Sequence, residues 1–326
     1  MIWPWQKSDE GYNQTMDRKE VKLALGCDSP VFKKGEDVAY IMDAMLLEGA
    51  NIFDSARKYG KSEEAIGEYI RAHGNRKDCF VISKGCHPSP FNRLNPKELR
   101  KDLEESLKTL DIGYIDLYFL HRDHLKADLK GILDVLNEYK AKGKILHYGL
   151  SNWTLDRILK FNQVADELGY EGAYAISNNL TLIPWEKDPS GGGEGCVSFS
   201  KDKQAYEYLQ KTQIPLFSYS PLARGFLSGR VKSDDPSSFD ILDGSARRAY
   251  YSKKNLKRLQ TVEEIAKDLH LTIPALTLAY LANLDINVYP VIGTTSVERL
   301  KQNIESLSIR LPKKTMEKLK AIAFED

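Results

Sequence analysis

Cysteine is scarce in this chain of 326 residues, and its four cysteines include no CxxC pair. Closely spaced cysteine pairs build zinc ribbons, and disulfide frameworks belong mainly to small secreted domains, so the sequence argues against both. The metalloprotease motif HExxH is also absent, and His121 and His124 follow a predicted strand instead of lying in a helix. We therefore predict no metal site. We also predict reduced thiols at Cys27, Cys79, Cys86 and Cys196.

The chain also lacks the common phosphate-binding motifs. No GxGxxG turn follows the first predicted strand, and no Walker A motif occurs. The glycine cluster at 191–195 does not join a strand to a helix in the required way, so we interpret it as a flexible loop. A doubly wound dinucleotide-binding domain is therefore not expected, and any nucleotide must bind by another arrangement.

An excess of charge and long apolar runs are missing as well. The chain has 47 basic and 46 acidic residues, a formal net charge of +1, so it lacks the electrostatic footprint of a protein that binds nucleic acid or an anionic membrane. No apolar run approaches the roughly 20 residues that span a bilayer, and the start MIWPWQKSDE has no signal-peptide layout. We expect a cytoplasmic protein with a small-molecule partner. The sequence indicates no oligomeric state.

Strand and helix patterns alternate along the chain. Short runs rich in Val, Ile, Leu and Phe are typical of a parallel sheet buried on both faces, and eight strand-helix units favour closure into a barrel. Because there is no Pro/Ser-rich linker, we predict one domain over 1–326, an α/β fold of the (β/α)8 TIM-barrel class, with 1–20 as an N-terminal extension. The predicted strands are 21–26, 51–54, 79–84, 115–120, 145–150, 173–177, 214–219 and 287–292.

Capping signals mark several predicted helices. Ser62 before two glutamates and Asn95 before Pro96 are typical helix starts. Two further helices, at 254–269 and 312–323, are expected to be auxiliary to the barrel. The other predicted helices lie at about 37–47, 128–142, 154–168, 200–212, 272–283 and 296–306.

Four reactive side chains lie at or just after the ends of three successive predicted strands. Asp54 ends NIFD and lies five residues before Tyr59, Lys84 ends CFVISK, and His121 follows IDLYFL. The carboxyl ends of parallel strands meet at one rim of such a barrel, where barrels of this kind carry their chemistry. Singly, each residue has an ordinary structural interpretation, as a turn aromatic, a solvated lysine or a core histidine. Together they predict a catalytic site.

These residue types suit proton donation to a carbonyl oxygen. A free phenol titrates at about pH 10, so Tyr59 needs a neighbouring cation to act as a general acid, and Lys84 supplies one. Asp54 keeps the partly buried ammonium charged. A neutral imidazole at His121 hydrogen-bonds the carbonyl and orients it toward the phenol.

Six motifs, taken in chain order, resemble those of the aldo-keto reductases: FDSARKYGKSEEAIG, ISKG, IDLYFLHR, YGLSNW, SYSPLARGFLSG and VIGTTSVERLKQN. The resemblance extends from about Val21 to the C-terminus. It implies a (β/α)8 barrel that binds extended NADP(H) without a Rossmann turn. It also implies a catalytic tetrad of Asp54, Tyr59, Lys84 and His121.

The resemblance implies a cofactor site as well. Ser151 and Asn152 match residues that hold the nicotinamide carboxamide, and Ser177 stands where a glutamine usually makes that contact. Tyr219 matches the aromatic that stacks on the nicotinamide. Arg299 is placed to pair with an adenosine 2′-phosphate, so NADP(H) is expected over NAD(H). The remaining matches, in the pyrophosphate loop and at the adenosine end, are Ser220, Leu222, Arg230, Gly293, Thr295, Gln302 and Asn303.

Departures from the family pattern concern the substrate pocket. Arg57 and Lys58 stand where an acidic residue is often found, and we expect them to lower the pKa of Tyr59 or to attract an acidic substrate. Polar groups such as Arg122 and Asp123 suit the hydroxyls of a sugar-like carbonyl. The expected pocket residues are Asp28, Trp153 and Trp185.

The sequence therefore predicts an NAD(P)H-dependent oxidoreductase that reduces an aldehyde or a ketone, with keto-sugars among the candidate substrates. One alternative is a non-catalytic nucleotide-binding sensor or partner-binding protein on the same fold. The complete tetrad weighs against it. Another is a barrel lyase or isomerase that uses the Lys84 amine for a Schiff base, and the SNW and GTTSVERLKQN motifs weigh against that.

Overall fold

The structure is a computed structural model that describes residues 21–88, 91–191 and 195–324. The predicted N-terminal extension, 1–20, and positions 192–194 of the predicted glycine-rich loop lie outside the described residues. Within the described ranges, no helix is both long enough and apolar enough to cross a bilayer.

Eight parallel strands follow one another in chain order around a closed barrel, which confirms the predicted fold class. The strand side chains are almost all buried, because helices cover the outside of the barrel and side chains fill its inside. The strands are β1 Ala24–Gly26, β2 Ile52–Asp54, β3 Phe80–Gly85, β4 Ile115–Leu120, β5 Ile145–Ser151, β6 Ala175–Ser177, β7 Leu216–Tyr219 and β8 Val288–Ile292.

The predicted helices are present, and the two short helices α1 and α8 were not expected. Helix α4 starts as predicted, with Pro96 in its first turn and the side chain of Asn95 accepting from Glu98 N–H at 3.0 Å. The helices are α1 Pro30–Lys34, α2 Ala39–Leu47, α3 Ser62–His73, α4 Pro96–Leu110, α5 Leu129–Ala141, α6 Leu155–Glu167, α7 Lys203–Thr212, α8 Gly244–Tyr250, α9 Lys253–Asp268, α10 Ile273–Ala282, α11 Val297–Ser306 and α12 Lys313–Phe324.

The capping role predicted for Ser62 is wrong. Helix α3 begins at Ser62 itself, and Lys61 holds the capping position without a side-chain hydrogen bond. The Ser62 hydroxyl instead accepts from the hydroxyl of Ser55 at 2.8 Å. The Ser62 side chain is fully buried. Its hydroxyl therefore joins the start of α3 to the segment after β2 and does not cap the helix.

The chain divides into two compact units. The first comprises the described residues up to Ser177 together with Gly293–Leu300, and it holds β1–β6 and helices α1–α6. The second comprises Asn178–Ile292 and the described residues from Lys301 onward. In the second unit β7 pairs with β8, and Phe217 stacks on Tyr289 with ring centroids 5.1 Å apart.

Candidate active site

Strand register in the first unit brings the ends of β2, β3 and β4 to one rim. Asp54 ends β2 and is in register with Ile82, so Lys84 lies two residues nearer the rim on β3. His121 is the first residue after β4, and its backbone N–H donates to Gly85 O at 2.9 Å. The side chains predicted for catalysis therefore lie on neighbouring strand ends.

Tyr59 reaches this rim through a tight turn after β2. Its N–H donates to Ala56 O at 2.9 Å. Gly60 follows with a φ of +59°, in the left-handed region, and a Cβ at this position would lie 2.7 Å from the backbone O of Lys33. Glycine is the residue that meets both conditions without strain. Gly60 therefore fixes the path of the loop that carries the phenol.

Lys84 is the centre of the cluster. Its Nζ donates to Asp54 Oδ1 at 2.6 Å and to Ser55 O at 2.8 Å, and it lies 5.0 Å from the centroid of the Tyr59 ring. Burial lowers the pKa of Lys84, but the Asp54 carboxylate and the Tyr59 oxygen outweigh burial and raise the pKa above its ordinary value. The ammonium is therefore charged beside the phenol at neutral pH.

The pKa of Tyr59 is higher than the sequence led us to expect. Burial raises it from 10.0 to about 12, and the opposing effect of Lys84 is smaller. In the free protein the phenol is therefore protonated throughout the neutral range. A general acid has to be protonated before it can donate.

The expectation that Arg57 and Lys58 lower this pKa is wrong. The Arg57 guanidinium is paired with Glu63 and, at 3.1 Å, with Glu105, so its charge is committed elsewhere. The exposed Lys58 side chain places its Nζ 3.2 Å from Nδ1 of His87. Sequence proximity to the phenol did not make either cation its partner.

His121 is a buried imidazole between two other rings. Its ring meets Tyr59 edge-on at a centroid distance of 5.9 Å and His87 edge-on at 4.7 Å. Burial lowers the pKa of His121 well below 6.5, and the positive charges of Lys84 and Arg122 lower it further. The imidazole is therefore neutral at neutral pH, in agreement with the role predicted for it. Its Nδ1 is buried and has no hydrogen-bond partner among the described residues.

Strained backbone follows two of the strands at this rim. Cys86, directly after β3, has a φ of 61°, and Asn152, directly after β5, has a φ of 62°. The Cys86 N–H donates to Asp102 Oδ2 at 2.7 Å, and the Asn152 N–H donates to Ser177 O at 3.1 Å. The Asn152 side chain also donates to His121 O at 3.3 Å. Such conformations persist where the surroundings hold them, and they cluster at functional sites.

Two groups of the predicted cofactor residues belong to the first unit. Ser151, Asn152 and Ser177 are buried at the ends of β5 and β6 and are joined by hydrogen bonds. Gly293 and Arg299 are exposed, in the segment from the end of β8 into α11. Nothing lies within 4 Å of a Cβ built on Gly293, so the chain leaves open space there.

The start of α11 is capped by its own side chains. Ser296 Oγ accepts from Arg299 N–H at 3.2 Å, and Thr294 Oγ1 accepts from Ser296 N–H at 3.1 Å. The backbone O of Thr295 accepts from the hydroxyl of Tyr40 at 3.1 Å. These contacts fix the backbone that leads into the helix, where amide dipoles favour an anion.

The remaining cofactor candidates belong to the second unit. Tyr219 ends β7, and its hydroxyl donates to Val197 O at 3.1 Å. Ser220 follows it with a φ of 50°, which continues the strained geometry seen after β3 and β5. Leu222 is half-buried and Arg230 is exposed. The last two candidates, both in α11, are Gln302 and Asn303.

Trp153 does not line an open pocket. Its side chain is fully buried and packs edge-on against Phe161, with the Arg157 guanidinium 5.3 Å from its ring centroid. Arg157 is itself held by two hydrogen bonds to Asp123, at 2.7 and 3.0 Å. Trp153 therefore has no exposed ring face on which a substrate could stack, contrary to expectation. The Asp123 carboxylate, which was also expected to contact substrate, is paired with Arg157.

The other pocket candidates are more accessible. Asp28 is exposed and pairs with Lys33 at 2.7 Å. Arg122 is half-buried and donates to the backbone O of His121 at 3.0 Å. Trp185, in the second unit, is half-buried.

Sequence reasoning missed His87 at this rim. It lies three residues beyond Lys84, after the same strand, and its ring contacts that of His121. Burial lowers the pKa of His87 to about 4, opposed by its hydrogen bond with Pro88 O. The rule that selected Lys84 and His121, a polar residue at or just after a strand end, also applies to His87.

All four cysteines are free thiols, as predicted, and three of them are buried. Within the part of the chain that the structure describes, no group of three or more His, Cys, Asp or Glu side chains is placed to hold a metal ion.

Comparison with known proteins gives a consistent result. The model of the "Aldo/keto reductase family" matches residues 28–323. A similar curated protein is the aldo-keto reductase yakc of Schizosaccharomyces pombe, whose name specifies NADP(+). The two are 29% identical over 286 residues, which cover 83% of this chain and 78% of that protein.

A second relative and a solved structure extend the comparison. The aldo-keto reductase str7 of Strobilurus tenacellus is 26% identical over 291 residues, covering 87% of this chain and 80% of that protein. The crystal structure of a thermostable aldo-keto reductase with the inhibitor epalrestat superimposes with a TM-score of 0.68. It is 24% identical and covers 92% of this chain and 94% of the other, so it supports the fold.

Proposed function

This chain belongs to the aldo/keto reductase family, and on that premise we propose that it is an NAD(P)H-dependent oxidoreductase that reduces an aldehyde or ketone to an alcohol, with Tyr59 as the general acid. The partner is a small-molecule carbonyl compound.

One observation carries the proposal: a buried Lys84 ammonium is bound to Asp54 and lies beside the Tyr59 ring. A cation at this place stabilises the phenolate that remains once the proton has moved to the carbonyl oxygen. Asp54 keeps the ammonium charged, since a lone charge in a buried site would lose its proton.

His121 binds and orients the carbonyl in this proposal. Its pKa is lowered by burial and by neighbouring cations, so the ring is neutral and one nitrogen carries a proton to donate. Nδ1 is enclosed without a partner, so we assign the proton to Nε2 and direct it at the carbonyl oxygen. Tyr59, edge-on to the same ring, then shares that oxygen.

The residues of the chain suit a dinucleotide. The capped start of α11, the open space at Gly293 and the exposed guanidinium of Arg299 favour a phosphate group. Ser151 and Asn152, beside the histidine backbone, supply polar groups for an amide. When bound, the nicotinamide supplies a hydride to the carbonyl carbon.

Arg299 supports NADP(H) over NAD(H). A charge-assisted contact of about 1.5–3 kcal/mol to the 2′-phosphate favours NADPH by roughly one to two powers of ten. Gly293 adds no second cation, so we expect the lower end. Titration of tryptophan fluorescence with each cofactor measures the ratio, with exposed Arg310→Ala as the control for Arg299→Ala. An unchanged ratio in Arg299→Ala would remove the assignment.

A screen of aldehydes, ketones and keto-sugars, followed by the absorbance of NADPH and NADH, tests the proposed activity. We expect turnover of at least one class and place keto-sugars among them because Asp28 and Arg122 are polar groups near the rim. Tight NADPH binding with no turnover of any carbonyl would instead support the nucleotide-binding sensor.

A further inference from the structure

Arg57 lies in the loop after β2, two residues before Tyr59, yet its guanidinium is anchored in the wall of helices. Nη1 donates to Glu63 in α3 and, at 3.3 Å, to Thr109 in α4, and Nη2 donates to Glu105 in α4 at 3.1 Å. These contacts join one loop residue to two helices.

Glu63 links this pair to the strand that carries Lys84. It is 1% exposed, and while one of its oxygens accepts from Arg57, the other accepts from Ser83 Oγ at 2.5 Å. The Arg57 N–H donates to the backbone O of Lys84 at 3.0 Å. The loop is thus bound to β3 directly at Lys84 and, through Glu63 of α3, at Ser83.

A second set of hydrogen bonds also holds this loop. Ser55 Oγ donates to Ser62 Oγ at 2.8 Å, and Ser55 O accepts from Lys84 Nζ at 2.8 Å. The loop from Asp54 to Gly60 is therefore held at its start by serine hydroxyls and in its middle by an ion pair. Tyr59 lies between that ion pair and the glycine turn.

The energetics favour a geometric role for the ion pair. A buried ion pair adds little net stability compared with apolar packing, because desolvation offsets the attraction. A reacting group, in contrast, must be held to within about 0.5 Å, and a misplacement of about 1 Å can cost on the order of 10²-fold in rate. Because Glu63 is buried, its carboxylate cannot move into solvent, and it therefore holds the Arg57 guanidinium in one position.

We propose that the Arg57–Glu63 pair is a clamp that holds Tyr59 against Lys84, which makes Arg57 a positioning residue for the reaction. The proposal rests on the proposed function, in which Tyr59 is the proton donor. It replaces the sequence-based idea that Arg57 acts on the phenol or on an acidic substrate directly.

Arg57→Met tests the clamp, with Arg57→Lys as the conservative variant. We expect kcat to fall on the order of 10- to 100-fold in Arg57→Met, with NADPH affinity unchanged and partial recovery in Arg57→Lys. Burial, the larger influence, still raises the pKa of Tyr59 while a loosened ring loses the lowering effect of Lys84, so the basic limb of the pH–rate profile should move to higher pH. A purely structural role would leave that limb in place.

The matched control is Arg100→Met. Arg100 forms a bidentate pair with Glu138, at 2.7 and 2.9 Å, but on the exposed side of α4. We expect it to leave kcat and the pH profile unchanged. If Arg57→Met does not fold, Glu63→Gln keeps the size of the partner but removes its charge and one of its two accepting oxygens, and the same expectations apply.

A folded Arg57→Met with wild-type kcat and pH profile would overturn the clamp. So would a loss of kcat with an unmoved basic limb and no recovery in Arg57→Lys. Tyr59→Phe separates the two proposals: full activity in Tyr59→Phe overturns the proposed function, whereas an inactive Tyr59→Phe beside a fully active Arg57→Met overturns the clamp alone.

Discussion

Two ion pairs with buried carboxylates lie at opposite ends of the barrel strands in the first unit, and they differ in what surrounds them. At the amino end, Arg76 donates to Asp116 Oδ2 at 2.7 Å, to Tyr114 O at 2.9 Å and to Cys79 O at 2.7 Å. The same Asp116 oxygen accepts from Val81 N–H at 2.7 Å. The guanidinium also lies over the Tyr114 ring, 3.8 Å from its centroid, so a phenol lies beside the cation at this end too.

At the carboxyl end, Lys84 is also bound to a carboxylate and to a backbone oxygen, of Asp54 and Ser55. Its ammonium likewise lies beside a phenol, Tyr59, and this end differs in that the neutral imidazole of His121 meets the Tyr59 ring edge-on. The comparison teaches that burial of an ion pair does not by itself indicate catalysis. A phenol beside the cation does not indicate it either: what distinguishes the functional end is the imidazole in contact with that phenol, at the carboxyl rim of the strands.

The largest expected effect is on activity at the carboxyl end. Lys84→Met should lower kcat on the order of 10²-fold or more, because the phenolate left by proton transfer loses its cation. The basic limb of the pH–rate profile should move to higher pH, since Lys84 lowers the pKa of Tyr59. Lys142→Met, on an exposed lysine, is the control. A wild-type kcat in Lys84→Met would show that the Lys84–Asp54 pair has no catalytic role and would contradict the difference between the two pairs.

The matching change at the amino end should affect stability. Arg76→Met leaves the Asp116 carboxylate buried without its cation, which typically costs about 3–5 kcal/mol. Arg76 is 16% exposed at its side chain, so we expect the lower end of that range. Denaturant unfolding measures the free energy, and kcat of the folded protein should not change. A kcat loss as large as that of Lys84→Met would contradict the structural role.

Double mutants sharpen the comparison. The losses of log kcat caused by Lys84→Met and Asp54→Asn should not be additive, because both substitutions disturb the same group, the charged ammonium beside the phenol. Lys84→Met and Arg76→Met should add, because the two pairs share no partner. Strictly additive losses for Lys84 and Asp54 would show that they act separately.

The smallest expected effect is the pH dependence of stability at the carboxyl end. His87 has a pKa lowered from 6.5 to about 4 in the folded chain, mainly by burial. Between these values the unfolded chain binds a proton that the folded chain does not, so the free energy of unfolding falls as pH falls. His87→Gln should make this fall shallower, whereas His73→Gln, at an exposed site, is the comparison. Equal slopes in wild type and His87→Gln would contradict the assignment.

The barrel and the strand-end residues could be predicted because both depend on local patterns. Asp54, Lys84 and His121 are at or next to strand ends that the period of apolar residues marks, and parallel strands bring such ends together. Tyr59 was found by its fixed distance from Asp54 and by the glycine after it. These signals lie within a few residues of the sites they mark.

The contacts of the charged residues could not be predicted in the same way. Arg57 pairs with Glu105, 48 residues away, and only packing of α3 on α4 brings the two together. The burial of Trp153 depends likewise on α6, whose Phe161 and Arg157 enclose it. The local sequence of Ser62 suits a helix cap, but its hydroxyl is hydrogen-bonded to Ser55 outside the helix.

Single-turnover kinetics of Tyr59→Phe tests the central claim most directly, with Tyr139→Phe, whose hydroxyl contacts Glu104 on the outer helices, as the control. The substitution removes one hydroxyl and leaves the Lys84–Asp54 pair and the residues proposed for the cofactor in place. We predict that the rate of carbonyl reduction falls on the order of 10²–10⁴-fold, while NADPH affinity and the control remain at wild-type values. A Tyr59→Phe rate equal to wild type on the same carbonyl would contradict the account.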